Sequence, residues 1–234
     1  MATLIEKESF FECEDWHSAS AQSSGYASKE LLKAYARLNE SNFSTPEIFE
    51  PRHIELFLAL SKALALKGSI SVADIGGGNG YLGRHSMSFF GMDLLNWTVF
   101  EQPEFVNLYK NLTHQVTFRN LTEYDLNHFD VTLFSCSLQY IRNAYEMLEN
   151  ALKQSDHVII TRLPIIKHPQ DKITCQKVNL DENEFSWPAY FFGQSFVDFL
   201  KDKASILYRW STPSEKVLFQ GEIITFQGML LRLK

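Results

Sequence analysis

The sequence predicts a doubly wound α/β fold, with a mostly parallel sheet covered by helices on both faces, helices ahead of it and an antiparallel hairpin behind. Three observations carry this expectation. From residue 68 onward, short apolar runs alternate with segments of helical period. The first of those runs ends in an acid followed by four glycines within five positions, in "VADIGGGNGYLG". The last third of the chain holds two strand-like runs separated only by a polar turn.

A chain of 234 residues with 45% hydrophobic and 14% aromatic content is long enough to bury one sizeable core. No repeat, low-complexity tract or Pro/Gly-rich linker divides it, so residues 1–67 are expected as a helical extension on a domain spanning 68–234. A formal charge of −6 leaves no electrostatic footprint for a polyanion, which disfavours nucleic acid as a partner. The opening residues lack a basic start, and no run approaches the ~18 apolar residues of a membrane span. Three cysteines, Cys13, Cys136 and Cys175, have no zinc-like spacing and fit a reducing compartment, so the expected location is the cytoplasm. His17, His53, His85, His114, His128 and His157 are scattered, and no metal site is expected.

Residues 1–24 are polar and aromatic without a clear period. "SKELLKAYARLNE" (28–40) opens with a Ser cap and places Leu31, Leu32, Tyr35 and Leu38 at helical intervals. A second helix, "PRHIELFLALSKALAL" (51–66), starts with Pro at its first position. Strand-like "SISVADI" (69–75), "NWTVFE" (96–101), "VTF" (116–118), "DVTLFSC" (130–136) and "HVIITRL" (157–163) then alternate with helical "YLGRHSMSFFG", "PEFVNLYKNL" and "AYEMLENALKQ" (144–154). Helix "SFVDFLKDK" (195–203) leads into the closing runs "SILYRWS" (205–211) and "EIITFQGMLLRL" (222–233), which brings the strand count to seven.

In an open parallel sheet, ligands bind beyond the carboxyl ends of the strands, near the point where strand order reverses. Glycine at such a strand end permits a sharp turn and close approach of the backbone to a ligand. The spacing fails the dinucleotide pattern Gly-x-Gly-x-x-Gly, because a third glycine counted from Gly76 falls on Tyr81 and a second counted from Gly77 falls on Asn79. A phosphate-binding loop fails too, since no Lys-Ser/Thr follows. Asp74, Gly76, Gly78 and Gly80 satisfy Asp-x-Gly-x-Gly-x-Gly, which resembles the first motif of class I S-adenosylmethionine (SAM)-dependent methyltransferases and their Rossmann-like sheet. The resemblance implies SAM as cofactor, with Asp74 meeting its positive charge. Glu101, twenty-one residues after Gly80, ends the next strand where an acid accepts hydrogen bonds from ribose hydroxyls. Ser135 lies in the segment "SCS" (135–137) beside the methionine part, and Asn120 stands either at the adenine amine or in solvent as a loop residue.

A narrower resemblance is carried by "DWHSASAQSSGY" (15–26), "DIGGGNG", "SLQYI", "ITRLPI" (160–165), "DKITCQKV" (171–178) and "SWPAYFF" (186–192), and it points to methyltransferases of bacterial capsule and lipopolysaccharide gene clusters. It implies a small-molecule or glycan acceptor, a sugar or a glycan-linked group, and an N-terminal lid over the cofactor that includes Gly25 and Tyr26.

Methyl transfer is an in-line displacement that gains from alignment and, for a sugar hydroxyl, from a general base. The place where many O-methyltransferases carry a His base holds Gln139, which orients an acceptor but takes no proton. His168 and Asp171, in the polar loop after the fifth strand, are the base candidates. Arg162 is placed either to grip an anionic acceptor or to pair with a neighbouring acid. Trp187 and Tyr190, with Phe192, form either a stacking face for a sugar or part of the core. Two other functions compete. An enzyme methylating nucleic-acid amines would carry Asp/Asn-Pro-Pro-Tyr/Phe where this chain has "SCSLQY", and a non-catalytic SAM-binding scaffold would keep the glycine turn without a base.

Overall fold

The computed structural model of the chain describes residues 8–26, 28–42, 53–111, 113–180 and 183–234. Strand β1 (Glu8–Cys13) is followed by α1 (Trp16–Ala21), α2 (Lys29–Asn42) and α3 (Ile54–Lys67). The alternating region runs β2 (Ile70–Ile75), α4 (Tyr81–Phe90), β3 (Leu95–Glu101), α5 (Pro103–Tyr109), β4 (Thr117–Asn120), β5 (Phe129–Ser135), α6 (Ala144–Gln154) and β6 (Ser155–Leu163). Next come β7 (Lys172–Leu180), β8 (Asn183–Phe191), α7 (Gln194–Lys203), β9 (Ala204–Phe219) and β10 (Glu222–Leu233).

Seven strands form one sheet in the order β4-β3-β2-β5-β6-β10-β9. The pairings from β4 through β6 are parallel, and β10 enters antiparallel between β6 and β9. Strand order reverses between β2 and β5, so the crevice beyond their carboxyl ends is the expected ligand position. Apolar side chains fill both faces. Leu56, Phe57 and Leu60 of α3 and Met87 of α4 pack on Val72, Trp97 and Val99. On the other face, Leu148 and Leu152 of α6 and Phe196 and Leu200 of α7 pack on Phe100, Phe134 and Ile160. Helix α6 buries Ala144, Leu148, Ala151 and Leu152, the stripe its sequence period requires, and its ends match the expected ones. The expected start of the second helix at Pro51 lies outside the described residues. No helix among the described residues is long and apolar enough to cross a membrane.

Three regions depart from the sequence reading. Residues 8–13, read as having no clear period, form a strand: β1 pairs antiparallel with β7, and beyond it the Gly25 amide donates to the Ser186 carbonyl at 3.2 Å. With β8, these strands make a second, antiparallel sheet in the order β1-β7-β8. Its period is hidden because β7 buries polar residues: the Thr174 hydroxyl donates to the Ala189 carbonyl at 3.0 Å, and Gln176 accepts from the Trp187 indole at 3.0 Å. Pro188 also breaks the strand signal in β8, yet β8 pairs with β7 alone and an edge strand tolerates the missing donor. Finally, the expected polar turn after residue 211 is strand. The turn shrinks to Gln220 and Gly221, both at positive φ (50° and 80°), as a two-residue hairpin demands. The extended tip packs Phe219 on Phe191 at 4.2 Å between centroids and joins Gln220 to Glu12 by a hydrogen bond.

Helix α7 lacks a side-chain cap of its own, since Gly193 precedes it. Asp171 supplies one from outside: its Oδ1 accepts from the Gly193 amide (2.8 Å) and the Ser195 hydroxyl (3.1 Å), and its Oδ2 from the Tyr145 hydroxyl (2.6 Å). Asp171→Ala is expected to lower stability by about 1–3 kcal/mol in urea unfolding while leaving ligand affinity in the crevice unchanged.

Candidate active site

At the end of β2 the chain must turn sharply under its own neighbours. Gly76 has φ 70°, its amide donates to the Phe100 carbonyl at 2.8 Å, and a Cβ there would lie 2.7 Å from the Cβ of Ser137. At Gly77 a Cβ would lie 2.4 Å from Asp74 Oδ2. These two glycines therefore make room for the protein's own side chains. Gly78 differs: nothing lies within 4 Å of its missing Cβ, and its amide points to Glu101, donating to Oε1 at 3.2 Å. Gly80 packs on Val116 and Phe118 below the turn.

Glu101 ends β3 beside this turn. It is 7% exposed, and its Oε2 accepts from the Gln102 amide at 2.9 Å. Burial pushes its pKa up, while the two amides pull it down.

Two hollows meet here and share Tyr26, Gly76 and Glu101. The first, with an open volume of about 660 Å³, is walled by Phe100, Gln102 and Leu121 and, beyond them, by Cys136, Ser137, Tyr140, Ile141, Trp187 and Pro188. The second, about 590 Å³, runs along Gly77, Gly78 and Asn79 under Tyr35, Phe105 and Tyr109. Tyr26 stands between them, its ring 4.8 Å from Trp187 and 6.1 Å from both Tyr140 and Phe105. A reciprocal clasp holds it there: the Ser24 amide donates to Ser186 Oγ at 3.0 Å, and the Ser186 amide to Ser24 Oγ at 2.9 Å. Burial raises the Tyr26 phenol pKa well above its ordinary value. Among the described residues, no Lys, Arg or His lines either hollow.

Of the residues expected at the site, the structure brings together Tyr26, Gly76, Gly78, Glu101 and Trp187. The others lie elsewhere. Asp74 sits on the face that Val72 and Trp97 share, so its fully buried carboxyl lies beneath the turn and does not line the cleft. Its Oδ2 accepts from the Trp97 indole at 3.1 Å, and its Oδ1 has no hydrogen-bond partner. Asn120 takes no part in the walls. Its amide donates to Glu123 at 3.1 Å at the head of the short 3-10 helix Leu121–Leu126, and it is Leu121 that reaches the cleft. Ser135 accepts from the Thr161 hydroxyl at 3.0 Å and leaves the lining to Cys136 and Ser137.

The proposed catalytic pair is displaced as well. His168 lines a separate hollow between the loop after β6, α7 and β10, and its Nδ1 faces the backbone of Gln170. Asp171 is occupied as the cap of α7. Gln139 is 2% exposed and braces the turn from behind, its amide reaching Cys136 Sγ at 3.2 Å. Arg162 takes the ion-pair alternative: its Nε donates to Glu215 at 2.5 Å, and the Cys136 sulfur together with Glu215 raises its pKa. Tyr190 donates to the Arg142 carbonyl at 3.0 Å and packs on Trp16 and Phe192, away from the cleft.

Sequence reasoning missed Gln102, Leu121, Tyr140 and the aromatic trio Tyr35, Phe105 and Tyr109 as lining. Gln102 directly follows the ribose acid and was the one readable from position. The trio looks like ordinary helix core in α2 and α5, because an aromatic residue under a lid has the same spacing as one in a core.

No family model matches the chain, and no curated protein matches it. Solved structures do. A Burkholderia thailandensis 1,6-didemethyltoxoflavin-N1-methyltransferase, with 1,6-didemethyltoxoflavin and S-adenosylhomocysteine (SAH) bound, superposes with a TM-score of 0.50 at 14% identity, covering 88% of this chain and 86% of that one. The N-terminal domain of EvdMO1 with SAH bound gives a TM-score of 0.50 at 12% identity, covering 86% and 97%. At these identities the likeness speaks for architecture: the chain has the Rossmann-like α/β fold found in SAH-bound methyltransferases.

Proposed function

We propose that the chain is a SAM-dependent methyltransferase acting on a small-molecule acceptor. The observation that carries this is Glu101, a buried carboxylate facing an open glycine backbone in a cleft with no described cation. A phosphate-bearing cofactor asks for the opposite charge, whereas SAM brings a sulfonium, an ammonium and a ribose that needs an acceptor. The residues fit that group. Glu101 would take the ribose hydroxyls, Phe100, Leu121 and Ile141 give an apolar face for the adenine, and the exposed backbone at Gly78 leaves room for the amino-acid part. When bound, SAM supplies an electrophilic methyl group, and what this chain contributes is alignment and exclusion of water. Tyr26, Tyr35 and the β1-β7-β8 sheet act as the lid.

The bound 1,6-didemethyltoxoflavin of one relative supports a small-molecule acceptor. A second reading, O-methylation of a sugar or glycan-linked group in bacterial surface polysaccharide synthesis, is favoured by the six segments quoted above.

Isothermal titration tests the assignment. SAH is expected to bind in a single site, with NAD and ATP silent. Absence of SAH heat, or NAD heat in its place, would overturn it.

A further inference from the structure

We propose that the acceptor is a planar heteroaromatic ring, methylated at a ring nitrogen whose lone pair is free at neutral pH. The inference rests on the methyltransferase reading and names the substrate class of the same cleft.

One end of the cleft is built from rings. Tyr26 and Trp187 lie 4.8 Å apart, Tyr140 meets Trp187 edge-on at 6.4 Å and 89°, and Tyr26 and Tyr140 are 6.1 Å apart. Pro188 completes the wall. The indole N–H of Trp187 is engaged by Gln176, so this ring offers its apolar body rather than its polar edge. Offset and edge-to-face contacts of this kind suit a flat aromatic guest.

Beyond the Tyr26 and Tyr140 phenols, Gln102 and the Cys136 thiol, the polar inventory of this hollow is short. The Ser137 hydroxyl donates to the Ile75 carbonyl at 2.5 Å, and the Gln139 amide is held behind the wall against Cys136. A sugar ring would bring several hydroxyls here, and each one buried without a partner costs about 1–3 kcal/mol. No Asp, His or Lys among the described residues lines the cleft, and the one acid that does, Glu101, is tied to the Gly78 and Gln102 amides. An alcohol acceptor thus finds no imidazole, amine or untied carboxylate to act as its general base. A ring nitrogen needs none. Its lone pair forms the new bond to the methyl carbon, the former carbon–sulfur pair remains on sulfur, and the product ring either keeps the positive charge or gives an N–H proton to water.

Saturation-transfer NMR on the SAH-loaded protein tests this, with isoquinoline and benzimidazole as ring probes and methyl α-D-glucopyranoside as the sugar probe. Both rings are expected to bind, Trp187→Leu and Tyr140→Leu to weaken them at least tenfold, and the glucoside to give no signal. SAH titration of each variant confirms that it is folded, and if one variant loses its fold the other decides. Three results overturn the inference and leave the methyltransferase reading standing: SAH heat without a ring signal, ring signals indifferent to the variants, or a glucoside signal that the same variants abolish. Loss of SAH heat in the parent protein removes the methyltransferase reading itself.

Discussion

Replacing Glu101 by alanine is expected to lower affinity for SAH by about 3–6 kcal/mol, roughly 150- to 25,000-fold. Two hydrogen bonds to a charged acceptor are lost at once, and such bonds contribute about 1.5–3 kcal/mol each in a buried setting. The substitution also frees the Gly78 amide from Glu101 Oε1, so the turn loses its anchor on β3. Glu101→Gln keeps one oxygen acceptor and should fall between the two. Calorimetry reads the affinities, and thermal unfolding separates a binding defect from a folding one. Unaltered SAH affinity would contradict the ribose assignment.

The second large effect concerns Asp74, and its sign is opposite to that of an ordinary surface acid. Burial, reinforced by repulsion from Glu101 and opposed by the Trp97 bond, pushes its pKa from 3.8 up to about 7. In the folded protein Asp74 holds a proton at pH 5, where the unfolded chain has already released it. Its contribution to stability is therefore complete below about pH 4 and is lost as pH rises to 7, a change on the order of 4 kcal/mol at about 1.4 kcal/mol per unit. Asp74→Asn removes this dependence. Urea midpoints of the parent should fall between pH 5 and 7.5 relative to those of the variant. Parallel curves for the two proteins would show that the carboxyl is ionised throughout.

The sheet was legible because its strands are buried on both faces and read as continuous apolar runs, with β2, β3, β5 and β6 all found within two residues of their expected ends. The glycine turn and Glu101 were legible for the same local reason, a strand end followed by backbone that tolerates no side chain. What failed needed three dimensions. Asp171 looks like a free loop acid until its helix, twenty-two residues on, folds back to be capped. His168 was carried into another hollow by a hairpin whose buried Thr174 and Gln176 erase the alternation of a strand. Ser135 missed the cleft by one position, because Cys136 takes a positive φ of 56° and swings the next two side chains inward.

The partnership of β1 with β7 joins residues some 160 positions apart, as in the contact between Glu12 and Lys172. Contacts of such sequence separation close late, after the local alternating units have condensed. Until then one rim of β7 carries unpaired amides and carbonyls, a template open to strands of other molecules. The route by which this protein reaches its native state is consequently most exposed to self-association at the last step, when the covering sheet is assembled and the seven-stranded sheet beneath it is already built.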